Sequence, residues 1–158
     1  HYINIGKSRL AGVETMCKIQ INRHINVHGA YNYLYTSKDA DGVRLSSSSP
    51  HSGNIRAEYN TRIPRYATVV NLSGNIMGKK KFDVLDELEI DGKKVEAYYQ
   101  AKVNPYCLWD LTVSQYIMQN LRITAGITNL FDYTSDRVTF NTSTSPGRNY
   151  FIACNYTL

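Results

Sequence analysis

The last nine residues of the chain, Tyr150 to Leu158, alternate without a break. Tyr150, Ile152, Cys154, Tyr156 and Leu158 fall on one side; Phe151, Ala153, Asn155 and Thr157 fall on the other. A side-chain period of two belongs to a β-strand, and one apolar side beside one mixed side belongs to a strand that is covered on one face only. The same period recurs upstream. Val13, Thr15, Cys17, Ile19 and Ile21 alternate with Glu14, Met16, Lys18, Gln20 and Asn22, and Ile55, Ala57, Tyr59 and Thr61 alternate with Asn54, Arg56, Glu58, Asn60 and Arg62. Further runs follow at Ile25 to Thr36, Tyr66 to Gly78, Tyr106 to Ile117 and Leu121 to Phe131. Tyr, used 13 times, and the β-branched residues that fill these runs suit strands. The pattern predicts an all-β, antiparallel chain.

The connections alternate in length as regularly as the side chains alternate in polarity. Arg23–His24, Ile63–Arg65 and Met118–Asn120 are short, whereas 37–53, 79–105 and 132–147 are long and rich in Ser, Asp, Gly and Lys. In an antiparallel meander, successive connections lie at opposite rims, so every short turn belongs to one rim and every long loop to the other. Within 79–105, the Asp91-Gly92 pair between alternating flanks predicts a hairpin.

Several function classes drop out. No run of about 18 apolar residues exists, so no helix crosses a membrane, while spanning strands need only weak alternation. The net charge of +5 is scattered apart from Lys79 to Lys81, and an acidic stretch from Asp83 to Glu89 follows that triplet at once, which argues against nucleic acid. The acidic spacing matches no calcium loop. Cys17, Cys107 and Cys154 are odd in number, sit on apolar sides and show no metal spacing, so they read as small apolar residues. No nucleophile, base and orienting group come together, so neither a catalytic residue nor a metal nor a cofactor is expected, and the chain is not read as an enzyme.

One ordered set of motifs is more specific. Thr-Ala-Gly-Ile-Thr-Asn-Leu-Phe-Asp at Thr124 to Asp132 is followed by a polar loop, by Pro146-Gly147-Arg148, and by the terminal alternating strand. In that order these resemble the C-terminal signature of TonB-dependent outer-membrane receptors, and Ala-Gly-Val-Glu at Ala11 to Glu14 is similar to a strand opening common in that family. The residues carry a physical reading of their own. Asn129 ends an alternating run, where an amide closes a strand by bonding nearby backbone. Gly147 frees the backbone before the last strand, and Pro146 disfavours earlier pairing. Leu130, Phe131, Asp132 and Arg148 complete the motif.

The resemblance implies a transmembrane β-barrel in the outer membrane of a Gram-negative bacterium. About seven strands cannot close such a barrel, since plugged transporters have about 22. Residues 1–158 are therefore expected to be the C-terminal strands of a large plugged barrel. His1 to Leu10 lacks the basic start and apolar block of a signal peptide, which fits a chain beginning inside a longer one, with the plug absent. The implied partners are outer-membrane lipid, the protein's own plug and remaining strands, TonB through the missing N-terminal region, and a small to medium ligand such as an iron–siderophore, haem or cobalamin, imported with TonB-delivered energy. Tyr156 and Leu158 would end the barrel-closing strand, although Leu158 departs from the aromatic residue more usual there. The apolar side of each strand should meet lipid. Glu14, Arg56, Glu58, Asn71, Asp110 and Arg122, on the other side, should face the lumen and plug. His51, Tyr98 and Tyr99, in long loops placed outside the cell, are the candidates for ligand contact. A passive porin or barrel adhesin would keep the same strand plan, and a secreted β-sandwich binding module would pack the apolar sides against a second sheet.

Overall fold

A computed structural model describes residues 9–37, 49–63, 66–90, 93–117, 120–134 and 146–157. It contains nine strands: β1 (Leu10–Gln20), β2 (Ile25–Thr36), β3 (His51–Ile63), β4 (Tyr66–Met77), β5 (Lys80–Ile90), β6 (Lys93–Val103), β7 (Tyr106–Ile117), β8 (Leu121–Thr128) and β9 (Asn149–Tyr156). Seven form one antiparallel sheet in the order β1-β2-β3-β4-β7-β8-β9, and β5 and β6 form a separate hairpin inserted between β4 and β7. The region expected to be a loop containing a hairpin is thus almost entirely strand.

The register settles which residues share a face. Across the sheet, Ile19 pairs with Val27, Val27 with Ala57, Ala57 with Leu72, Leu72 with Leu111, Leu111 with Ile127, and Ile127 with Tyr150. Directly paired residues of an antiparallel ladder project to the same side, so every strand contributes its apolar alternates to one face. No Asp, Glu, Lys or Arg occurs on that face anywhere in the seven described strands. Two of its few polar side chains pair with each other. Thr68 Oγ1 donates to Gln115 Oε1 at 2.7 Å, and the Gln115 amide nitrogen donates to the Tyr116 and Ala67 carbonyls at 3.2 and 3.4 Å.

The row of pairs named above runs from the short-turn end of β1 to the long-loop end of β9. Most of this slip occurs at two seams: β3 runs past β2 at the short-turn rim, from Asn60 to Ile63, and β7 runs past β8 at the long-loop rim, from Tyr106 to Asp110. Progressive stagger of this kind is what tilts strands in a barrel wall.

The sheet is one layer thick. Among the described residues only Val103 is a buried apolar side chain, while Ile152 and Met16 are 78% and 77% exposed. Among the described residues no second sheet packs on its apolar face, which gives the sandwich reading no support. Both edge strands, β1 and β9, are exposed along their whole described length.

Two strand limits differ from expectation for local reasons. β8 stops at Thr128 rather than Phe131, because Asn129 turns into the left-handed region with φ of 53°. β3 begins at His51 rather than Asn54, because Tyr31 and Tyr33 of β2 extend the ladder to Gly53 and His51. Gly126 has its own requirement: a Cβ there would run into the ring of Phe151, its pair on β9. Gly126→Val is expected to displace that ring and cost about 1 to 3 kcal/mol. Much of that loss should return in the double variant with Phe151→Ala, as measured by urea unfolding of the full-length protein.

Candidate functional site

Two regions carry polar chemistry, and Asp110 belongs to both. The first is the polar face. Glu14, Arg56, Glu58, Asn71, Asp110 and Arg122 all project to it by register. Four of them are neighbours: Glu58 pairs with Asn71, and in the adjoining row Arg56 pairs with Ser73, which pairs with Asp110. Glu14 lies apart on the edge strand β1, opposite Asn32. Arg122 lies near the short-turn rim, its guanidinium 5.9 Å from the ring centre of Tyr116, which it pairs with. The Oδ1 atom of Asn71 is buried with no hydrogen-bond partner. That leaves this face with an acceptor which only a donor arriving from above it would satisfy.

The second region is the corner between β8 and β9, built from the motif residues. Asn129 is 5% exposed. Its Oδ1 accepts from the Tyr133 backbone N–H at 2.8 Å, and its Nδ2 donates to the Tyr133 carbonyl at 2.8 Å and to the Pro146 carbonyl at 3.5 Å. The amide thus behaves as expected and also reaches the far side of the loop. Asp132, also left-handed with φ of 55°, accepts the Arg148 backbone N–H through Oδ1 at 2.7 Å. A Cβ on Gly147 would sit 2.9 Å from that same oxygen, so glycine here permits the approach. The backbone of Gly147 is not left-handed, so the residue supplies space and not an unusual conformation.

The projecting end of β7 is the anchor for this corner. The Leu130 N–H donates to the Trp109 carbonyl at 2.6 Å, and the Asn129 N–H donates to Asp110 Oδ1 at 2.9 Å. Tyr106 stacks on Tyr133 with ring centres 5.0 Å apart and planes 10° from parallel. Sequence reasoning assigned Asp110 to the lumen alone and overlooked Tyr106 and Tyr133. Nothing in the Trp109-Asp110 pair signals a partner nineteen residues later, whereas Tyr133 directly follows the motif and was available to notice. Phe131 is 69% exposed at this corner. Leu158 lies outside the described residues, and Tyr156 pairs with Leu121 at the end of β9.

The three ligand-contact candidates lie on two elements, His51 on β3 and Tyr98 and Tyr99 on β6. His51 belongs to the apolar face, where its Nδ1 is 2.7 Å from the Tyr31 hydroxyl and its ring centre is 5.1 Å from that of Tyr33. It is thus the first residue of a strand instead of part of a loop. Tyr98 and Tyr99 lie on β6, in register with Leu85 and Val84 of β5. Among the described residues no three His, Cys, Asp or Glu side chains gather to hold a metal.

A family model described as TonB dependent receptor-like, beta-barrel, matches residues 1–130. The fold is similar to that of the ferripyoverdine receptor of the outer membrane of Pseudomonas aeruginosa bound to ferripyoverdine, with a TM-score of 0.73 and 18% identity over 94% of this chain and 19% of that one. It is also similar to the ferric enterobactin receptor of the same organism, with a TM-score of 0.71 and 19% identity over 97% of this chain and 23% of that one. A third similar structure is a complex with pyocin S2, at a TM-score of 0.73 and 17% identity, over 94% of this chain and 19% of that one. No curated protein matches in sequence. The chain thus spans about a fifth of the length of these solved structures.

Proposed function

Because the chain belongs to the TonB-dependent receptor-like β-barrel family, we propose that it forms part of the wall of an outer-membrane transporter that takes up a scarce ligand with energy delivered by TonB. One observation carries the membrane part of this reading: a single-layer sheet has one face free of charge and the other bearing Glu14, Arg56, Glu58, Asp110 and Arg122. An apolar face this large is stable against hydrocarbon, and a charged face needs water or polar partners. The uncovered edges of β1 and β9 supply the second argument, since unpaired strand edges in lipid cost several kcal/mol per group. The partners proposed are therefore outer-membrane lipid on one face, a plug on the other, and further strands of the same protein along both edges. TonB contact belongs to regions outside this chain. No covalent chemistry is assigned, in keeping with a family of transport receptors.

The transported ligand is proposed to be a ferric siderophore, on the strength of the similar folds with ferripyoverdine and ferric enterobactin in their names. Haem and cobalamin are the other members of the class. Ligand contact is proposed at the long-loop rim, with Tyr98 and Tyr99 ahead of His51, whose imidazole is already engaged on the apolar face. The test is uptake of iron-55 as ferric pyoverdine or ferric enterobactin by cells expressing the full-length protein, with and without TonB. Uptake that requires TonB is expected, and Tyr98→Ala or Tyr99→Ala should weaken binding about tenfold, or about 1.4 kcal/mol. Equal passage of small solutes in cells lacking TonB would replace this reading with a passive pore.

A further inference from the structure

We propose that Lys18, His28 and Arg56, aligned across β1, β2 and β3 on the polar face, dock a carboxylate-bearing segment of the plug. The inference rests on the membrane-spanning reading of the sheet, which assigns a plug to this face but neither the place nor the chemistry of its contact.

The register fixes the row. Lys18 pairs with His28 and His28 with Arg56, so three basic side chains stand side by side on one rung. Directly opposed residues of an antiparallel ladder have Cβ atoms about 5 Å apart, which puts Lys18 and Arg56 about 10 Å from each other with the imidazole between them. The rung continues through Ser73 to Asp110, whose Oδ1 already accepts the Asn129 N–H at 2.9 Å. On the same face, the adjoining rung toward the long loops, Met16, Ala30, Asn54 and Asn75, holds no charge. The one toward the short turns, Gln20, Asn26, Glu58 and Asn71, holds a single carboxylate. Among the described residues Lys18, His28 and Arg56 have neither a hydrogen-bond nor an ion-pair partner.

Like charges opposite one another across a ladder repel, and a charge shut away from water without a partner is costlier still. A plug seated on this face must therefore meet the basic rung with acceptors. Lys18 and Arg56 are exposed and His28 is half-buried, so a carboxylate arriving from the lumen reaches the row without moving the sheet. The neighbouring rung asks for the opposite chemistry. Glu58 is half-buried, and Asn71, its pair, keeps a buried Oδ1 that has no donor. A basic rung and an acceptor rung about 7 Å apart match a chain segment that carries a carboxylate at one position and an N–H at the next. A free anion satisfies only the first of these rungs, which identifies the occupant as polypeptide.

The test treats the full-length protein in phosphatidylcholine nanodiscs with a water-soluble carbodiimide, which joins an amine to a carboxylate in contact with it, and maps the linked peptides by mass spectrometry. Lys18 should be joined to an Asp or Glu of the plug, and so should the amine introduced by Arg56→Lys. Lys18→Gln combined with Arg56→Gln should speed proteolytic release of the plug about tenfold or more, whereas Lys18→Arg should leave the rate unchanged. Three results would each overturn the proposal: a barrel in which Lys18 is joined to no plug residue, an unchanged release rate in the double variant, or acetylation of Lys18 as fast as that of the exposed Lys79, which marks open water. Should the double variant fail to give a heat-modifiable barrel, the link map of the wild-type protein decides the matter. Loss of the barrel in the wild-type protein would instead overturn the membrane reading, so the two failures are distinct.

Discussion

Full-length protein carrying Val113→Arg or Leu72→Arg is expected to assemble poorly, with each substitution costing about 2 to 4 kcal/mol. Val113 pairs with Val70 and Ala125, and Leu72 pairs with Ala57 and Leu111, so both sit well inside the charge-free face with apolar neighbours on either side. A guanidinium there has no carboxylate within the face to pair with, and on the proposed membrane reading hydrocarbon would surround it. Thr112→Arg provides the internal comparison. Thr112 is adjacent to Val113 on the same strand but pairs with Asn71 on the polar face, where another cation joins Arg56 and Arg122. Heat-modifiable mobility and urea unfolding in lipid should therefore separate the two neighbours sharply. Equal tolerance at 112 and 113 would mean that neither face meets hydrocarbon.

Asn129→Ala should be nearly as damaging, although no charge moves. Three separate losses combine. The Tyr133 N–H and carbonyl lose their side-chain partners in a corner that is buried, each at about 1 to 3 kcal/mol. Alanine also carries a left-handed penalty of about 1 to 2 kcal/mol at a φ of 53°. The outcome should be a destabilisation of about 3 kcal/mol or more, placing this residue among the costliest single changes in the chain. Asn129→Gly separates the contributions, since glycine takes the left-handed conformation freely while losing the same bonds. It should recover about 1 kcal/mol of the loss. If alanine and glycine both leave urea unfolding of the full-length protein unchanged, the corner is ornamental and the motif has some other reason to exist.

The faces were legible because the code for them is short-range. A period of two needs no knowledge of partners, and the apolar alternates within the strands, from Val13 to Tyr156, are placed on one face by the ladder. Asn129 was legible for the same reason, as an amide ending a run. What escaped reading depends on contacts between distant residues. His51 follows Ser and Pro and precedes Ser and Gly, all poor strand formers, and joins β3 only because Tyr31 and Tyr33 lie opposite. Asp110 acts as the acceptor for Asn129 through a register slip between β7 and β8 that no local pattern records. The length of β5 and β6 was hidden because their ladder sets Lys81 against Lys102 and Glu87 against Glu96, pairings that blur the alternation.

The hairpin and the sheet share one phase. From Met77 to Lys80 one strand advances by three residues, and from Tyr106 back to Val103 the other does the same, so the ladder resumes in step after its interruption. The projection, about 35 Å for eleven residue pairs, is therefore a continuation of the barrel wall and not an attached module. Length and orientation then become independent variables over evolutionary time. Matched insertions in β5 and β6 lengthen the mast without turning it, whereas a single unmatched residue in either strand shifts every later pairing by one and exchanges its two sides. Variation in the β5–β6 hairpin is accordingly expected to be tolerated in paired steps and purged in odd ones, which gives this part of the chain a strict rule for growth.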